Sequence, residues 1–162
     1  MGLTYQIDLD SKNVSNRHVE AERLLEKGVE VFIQGNMPSA LHHFEKASNI
    51  VNSPLISSYY ALCIAKERGQ FNKAISLCLE ALKKEPQNSL LYLNLGRIYQ
   101  LLKRKEDAVK TFREGLKFEV NQQIVDELTK LGVRKDPIIP FLKRSNPLNK
   151  YLGIVFNKLR LR

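Results

Sequence analysis

Three alanines constrain this chain more than any other feature. Ala40, Ala74 and Ala108 are spaced 34 residues apart, and each is followed four residues later by Phe44, Cys78 or Phe112 and seven residues later by Ala47, Ala81 or Gly115. The same register aligns Gly28, Leu62 and Gly96 ahead of the alanines, and Leu24, Ser58 and Tyr92 one helical turn earlier. A period of this length means a stack of like supersecondary units, each too small to bury its apolar face alone.

Each unit divides into two amphipathic stretches around a breaker: Gln34-Gly35-Asn36, Arg68-Gly69-Gln70 and Lys103-Arg104-Lys105. The spacing predicts a helix, a turn and a helix. Within the second helix, small residues at i and i+7 with an aromatic or thiol between them fall on one face of a 3.6-residue helix. Small side chains there let two helices approach to the short end of the usual ~8–10 Å separation. Pro38 sits in an early helical turn, while Ser53-Pro54 and Pro86-Gln87-Asn88-Ser89 punctuate the ends of the first two units.

This pattern resembles the tetratricopeptide repeat (TPR), whose units run aromatic, Leu-Gly, Tyr, Ala, Phe, Ala and Pro. The third copy matches best, with Tyr92, Leu95-Gly96, Tyr99, Ala108 and Phe112. The second replaces Leu-Gly by Ala61-Leu62 and Phe by Cys78 but keeps Ala74, Ala81 and Pro86; the first has no opening aromatic. The resemblance implies an all-α fold, a right-handed α-solenoid of three TPR hairpins over residues 21–54, 55–88 and 89–122. A lead-in at 1–20 precedes them, and a capping helix at 123–132 follows. In the cap Ile124, Val125, Leu128 and Leu131 share a face, Asn121 is the expected N-cap and Gly132 the stop. Solenoids need such an element because the last repeat otherwise leaves an apolar face in water.

Residues 133–162 change character. They carry eight Lys or Arg against the single acid Asp136, which is +7 of the chain's net +9. Asp136-Pro137-Ile138-Ile139-Pro140 should be extended. Leu148, Tyr151, Leu152, Val155, Phe156 and Leu159 then form the stripe of a C-terminal amphipathic helix with Lys150, Lys158 and Arg160 on its other face. Residues 140–153 resemble the C-terminal extension of some small bacterial repeat proteins. This tail has three possible uses: docking on its own repeats, binding a partner protein, or meeting an anionic membrane or nucleic acid through its tail surface of Lys150, Lys158 and Arg160.

In TPR domains the first helix of each hairpin lines a concave groove, and the register carries this role to Leu25, Val29 and Ile33 in the first copy. In the second it falls on Ile56, Tyr59, Tyr60, Cys63 and Lys66, and in the third on Leu90, Asn94, Arg97 and Leu101. Repeats that hold the carboxylate ends of chaperones resemble one another in a cluster of Lys, Asn and Arg in this groove, where this chain has Leu25, Val29, Tyr60 and Leu90 and only Asn94 is polar. The resemblance therefore implies a groove for an apolar helix or extended apolar segment of another protein, with tyrosines as anchors.

Catalytic signatures do not appear. No G-x-x-x-x-G-K, G-x-G-x-x-G or G-x-S-x-G motif occurs, so no nucleotide cofactor and no enzymatic activity are expected. His42 and His43 are adjacent and diverge by about 100° on a helix, which spoils joint metal ligation. Asp8 and Asp10 lack the further acid and glycine of a calcium loop. Cys63 and Cys78, the only cysteines, read as reduced core thiols. With no secretory pattern at the start and no apolar run of about 18 residues, the expected setting is cytoplasmic. Exposed solenoid ends also leave a homo-oligomer open.

Overall fold

The computed structural model describes residues 2–132, with side chains from Val14 onward. The amphipathic tail helix expected within 133–162, with Lys150, Lys158 and Arg160, lies outside the described residues. Seven helices and no strand make up the described residues: α1 (Gly2–Ile33), α2 (Met37–Ile50), α3 (Pro54–Arg68), α4 (Phe71–Lys84), α5 (Ser89–Leu101), α6 (Lys105–Gly115) and α7 (Gln122–Lys130). They pair in chain order as three antiparallel hairpins, α1 with α2, α3 with α4 and α5 with α6, and α3 also packs directly on α5. The result is an all-α helical-hairpin solenoid.

Local chemistry explains the boundaries. Asn36 accepts a hydrogen bond from Ser39 N at 3.2 Å, and Pro38 occupies the first turn of α2, where no backbone donor is missed. Gly69 ends α3 at φ +64°, and Gln70 N reaches back to Ile64 O at 3.3 Å, closing the turn as a left-handed cap. Asn121 accepts from Gln123 N and Ile124 N at 3.0 and 3.3 Å to open α7, and Gly132 follows at φ +70°. The lead-in is helical from Gly2 onward: α1 runs back to Gly2, and no Gly or Pro interrupts residues 3–27.

The core follows the alanine register. Ala40, Ala74 and Ala108 are each fully buried, as are Phe44, Cys78 and Phe112 one turn later. Ala40, Phe44, Ala61, Ala74 and Cys78 belong to one cluster that joins the first two hairpins and extends to Leu95 and Ile98 of α5; Leu93, Ala108, Phe112 and Ile124 form another that seats α7. Burial of each of the two rings is a major stabilising term, since truncating a buried Phe to Ala costs about 3–5 kcal/mol.

Candidate peptide-binding face

The first helices of the three hairpins, α1, α3 and α5, carry all twelve residues expected to line a groove, and packing sorts them into three groups. Ile33 (78% exposed), Leu101 (40%) and Lys66 reach solvent. Leu25, Val29, Tyr59, Tyr60, Leu90 and Arg97 are half-buried. Ile56, Cys63 and Asn94 are buried within the stack instead of lining a surface.

Each of the three buried residues has its own reason. Ile56 packs with Ala21, Leu24 and Ala47 where the second hairpin meets the first. Cys63 sits in the main cluster, and loss of water around it pushes its thiol up to about 12. Asn94 donates through Nδ2 to Ser58 Oγ at 3.0 Å, tying α5 to α3, and its Oδ1 has no partner.

The tyrosines are anchored rather than free. Tyr59 stacks on Phe44 with ring centroids 5.1 Å apart and meets Phe32 edge-on at 5.9 Å. The Tyr60 hydroxyl donates to Glu45 Oε1 at 3.3 Å, and Arg68 Nη1 and Nη2 donate to the same carboxylate at 3.3 Å each. The Arg68 hydrogen bonds hold the Glu45 carboxyl below the ordinary glutamate range, so the cross-link between α2 and α3 has a charged acceptor at neutral pH. Arg97 turns toward the cap: its Nε and Nη2 donate to Glu127 Oε1 at 3.2 Å, and Glu127 is only 8% exposed.

One cavity of about 360 Å³ gathers what remains. Its apolar walls are Phe32 from the end of α1, Met37 from the start of α2, Leu62 from α3 and Leu101 from α5; Lys66, Arg97 and Gln100 form its polar rim. All three hairpins contribute. Sequence reasoning named Lys66, Arg97 and Leu101 but missed Phe32, Met37, Leu62 and Gln100. Phe32 lies one position from Ile33, and Met37 belongs to a second helix that the groove register does not cover. Among the described residues no group of three or more His, Cys, Asp or Glu is placed to hold a metal ion, and no helix is long and apolar enough to cross a membrane.

Three stacked helical hairpins at a 34-residue period, with a cavity opened between their first helices, define a repeat solenoid of the interaction-scaffold type. A family model described as tetratricopeptide repeat matches residues 65–129. Over that stretch the helical hairpins are similar to tetratricopeptide repeats, and the fold of the three hairpins is that of TPR domains. Among solved structures it is similar to the first TPR of Spaghetti (RPAP3) bound to the HSP90 peptide SRMEEVD, at 25% identity and TM-score 0.55, covering 70% of this chain and 90% of that one. It is also similar to the Arabidopsis OM64 TPR domain, at 21% identity and TM-score 0.57, covering 72% and 97%. The second TPR domain of human RPAP3 in complex with the HSP70 peptide SGPTIEEVD resembles it at 21% identity and TM-score 0.55, covering 74% and 99%. No curated protein sequence matches the chain.

Proposed function

We propose that this chain is a non-catalytic protein-interaction module that holds an apolar segment of a partner protein against its first helices. The observation that carries this reading is the cavity of about 360 Å³ walled by Phe32, Met37, Leu62 and Leu101, which draws on all three repeats. That volume falls within the range of binding pockets, and a wall contributed by three units is pre-formed by the stack rather than assembled on binding. Two structural neighbours are seen with HSP90 and HSP70 peptides, which supports a peptide or protein partner.

The kind of segment differs from theirs on physical grounds. Leu25, Val29, Tyr60 and Leu90 stand where chaperone-tail binders resemble one another in Lys, Asn and Arg, and a terminal carboxylate placed against them would lose water and meet only one donor, the Tyr60 hydroxyl already engaged by Glu45. An apolar side chain has no such cost and gains the burial of its own surface.

The test is affinity purification of full-length protein beside Ile33→Asp/Leu101→Asp, two exposed positions whose change leaves the core intact. A defined set of chains should co-elute with the parent and be lost from the variant while circular dichroism is unchanged. Equal recovery by both proteins rules out this face as the binding surface.

A further inference from the structure

We infer that the cavity between the three hairpins selects an internal peptide segment in which a bulky apolar side chain stands beside an acidic one. This rests on the groove reading above and adds a charge requirement to it.

The walls are apolar, and Leu101 remains 40% exposed at the mouth, so an entering side chain completes a contact the protein does not make for itself. None of the lining residues is acidic, and two are cationic. Those two cations are not equivalent. Arg97 is engaged by Glu127 through Nε and Nη2 at 3.2 Å, with Nη2 also donating to Gln123 Oε1 at 3.4 Å. Lys66 forms no hydrogen bond or ion pair among the described residues and stands exposed in the last turn of α3. One uncompensated ammonium at the lip of an apolar pocket is complementary to a carboxylate carried next to the anchoring side chain.

The carboxylate need not be a chain terminus. A terminal carboxylate has to be enclosed by several donors, whereas Lys66 offers a single flexible point charge that tolerates an Asp or Glu within a chain. A basic segment is disfavoured by the same charge, which gives the pocket a sign preference as well as an apolar one.

Panning a random dodecapeptide library, displayed at the amino end of a phage coat protein so that no peptide has a free carboxyl terminus, against the full-length chain tests the inference. Recovered clones should be enriched in Leu, Phe or Ile adjacent to Asp or Glu. A capped synthetic peptide of the recovered consensus should bind about three- to fivefold more tightly than its Glu→Gln or Asp→Asn form, the scale of one exposed ion pair. Lys66→Glu should remove that preference, and Leu101→Asp should weaken both peptides. Three results overturn the inference: apolar clones with no acidic enrichment, a consensus that Lys66→Glu binds as the parent does, or no enriched clones at all. The first two leave the groove reading standing, whereas the third removes it as well.

Discussion

Gly28 is the socket for the ring of Phe44: a Cβ built on Gly28 would lie 2.5 Å from Phe44 Cε1, well inside contact distance. The third repeat reproduces the relationship with Gly96 and Phe112. In the second repeat the sizes are exchanged, and Leu62 and Cys78 occupy the matching positions, both buried in one cluster. The pair thus keeps a large and a small partner in every hairpin but reverses which helix supplies the bulk.

This exchange predicts strong coupling. Gly28→Ala and Gly96→Ala should each destabilise by about 1–3 kcal/mol, because the ring must move for the methyl to fit. Cys78→Phe alone should cost a similar amount against Leu62. Leu62→Gly combined with Cys78→Phe recreates the arrangement of the flanking repeats and should recover much of that loss. Chemical denaturation of the two singles and the double gives the coupling energy, and strict additivity of the two changes would show that the positions do not meet.

The turn after α5 carries a cost that its siblings avoid. Gly35, Gly69 and Lys103 are spaced 34 residues apart, and all three have positive φ, at 83°, 64° and 60°. A side chain in this left-handed region costs roughly 1–2 kcal/mol, and glycine escapes it. Lys103→Gly should therefore stabilise the protein by about 1 kcal/mol, less the glycine's greater freedom when unfolded. The readout is the midpoint in guanidinium chloride at unchanged slope. A lower midpoint would mean that Lys103 makes compensating contacts.

Much of the architecture was readable from spacing because helix pairs repeat a contact geometry, and contact geometry is written in residue size. The alanines, the Gly35 and Gly69 turns and the Asn121 cap needed no tertiary information. Which side of a first helix is open to solvent was less legible. Register places Ile56, Cys63 and Asn94 on the same helices as Lys66 and Leu101, but their burial depends on how closely the next hairpin packs, and small changes in helix rotation decide it. The cavity draws Phe32 and Met37 from either side of the Gly35 turn, so its walls follow the turn rather than the period. The helical extension of α1 before Ala21 was hidden for a different reason: the repeat ends there, and only the absence of breakers marks the continuation.

Burial sets the behaviour of the thiols. Cys63 and Cys78 are free and fully buried, and loss of hydration raises each from the ordinary value of 9.0 to about 12. Neither should react measurably with Ellman's reagent at pH 8 in the folded protein, while both should react once guanidinium unfolds it. Linkage gives a second consequence. Below pH 9 both states hold the thiol proton and stability is unaffected; between 9 and 12 the unfolded chain releases protons that the folded chain retains, so stability must fall as pH rises. Denaturation midpoints for the parent should drop across this window more steeply than for Cys63→Ala/Cys78→Ala, and parallel curves would show that the thiols are not the cause.

The cap is held by a charge in an unusual place. Glu127 is 8% exposed yet accepts hydrogen bonds from Arg97, from Gln100 Nε2 at 3.4 Å and from Lys130 Nζ at 3.4 Å, so its carboxylate joins α7 to α5. Glu127→Gln keeps the shape and removes the charge, leaving Arg97 half-buried without its counterion. Breaking a fully buried pair costs about 3–5 kcal/mol and an exposed one less than about 1, so this partly exposed pair should lie near 1–2 kcal/mol. The loss should be local, because Ile124 still anchors α7 in the Phe112 cluster. Hydrogen exchange should therefore accelerate in α7 and leave α3 unchanged. Arg97, freed at the rim of the cavity, should also bind acidic consensus peptides more tightly in this variant than in the parent. Unchanged α7 protection would mean that apolar packing alone fixes the cap and that Arg97 is no latch.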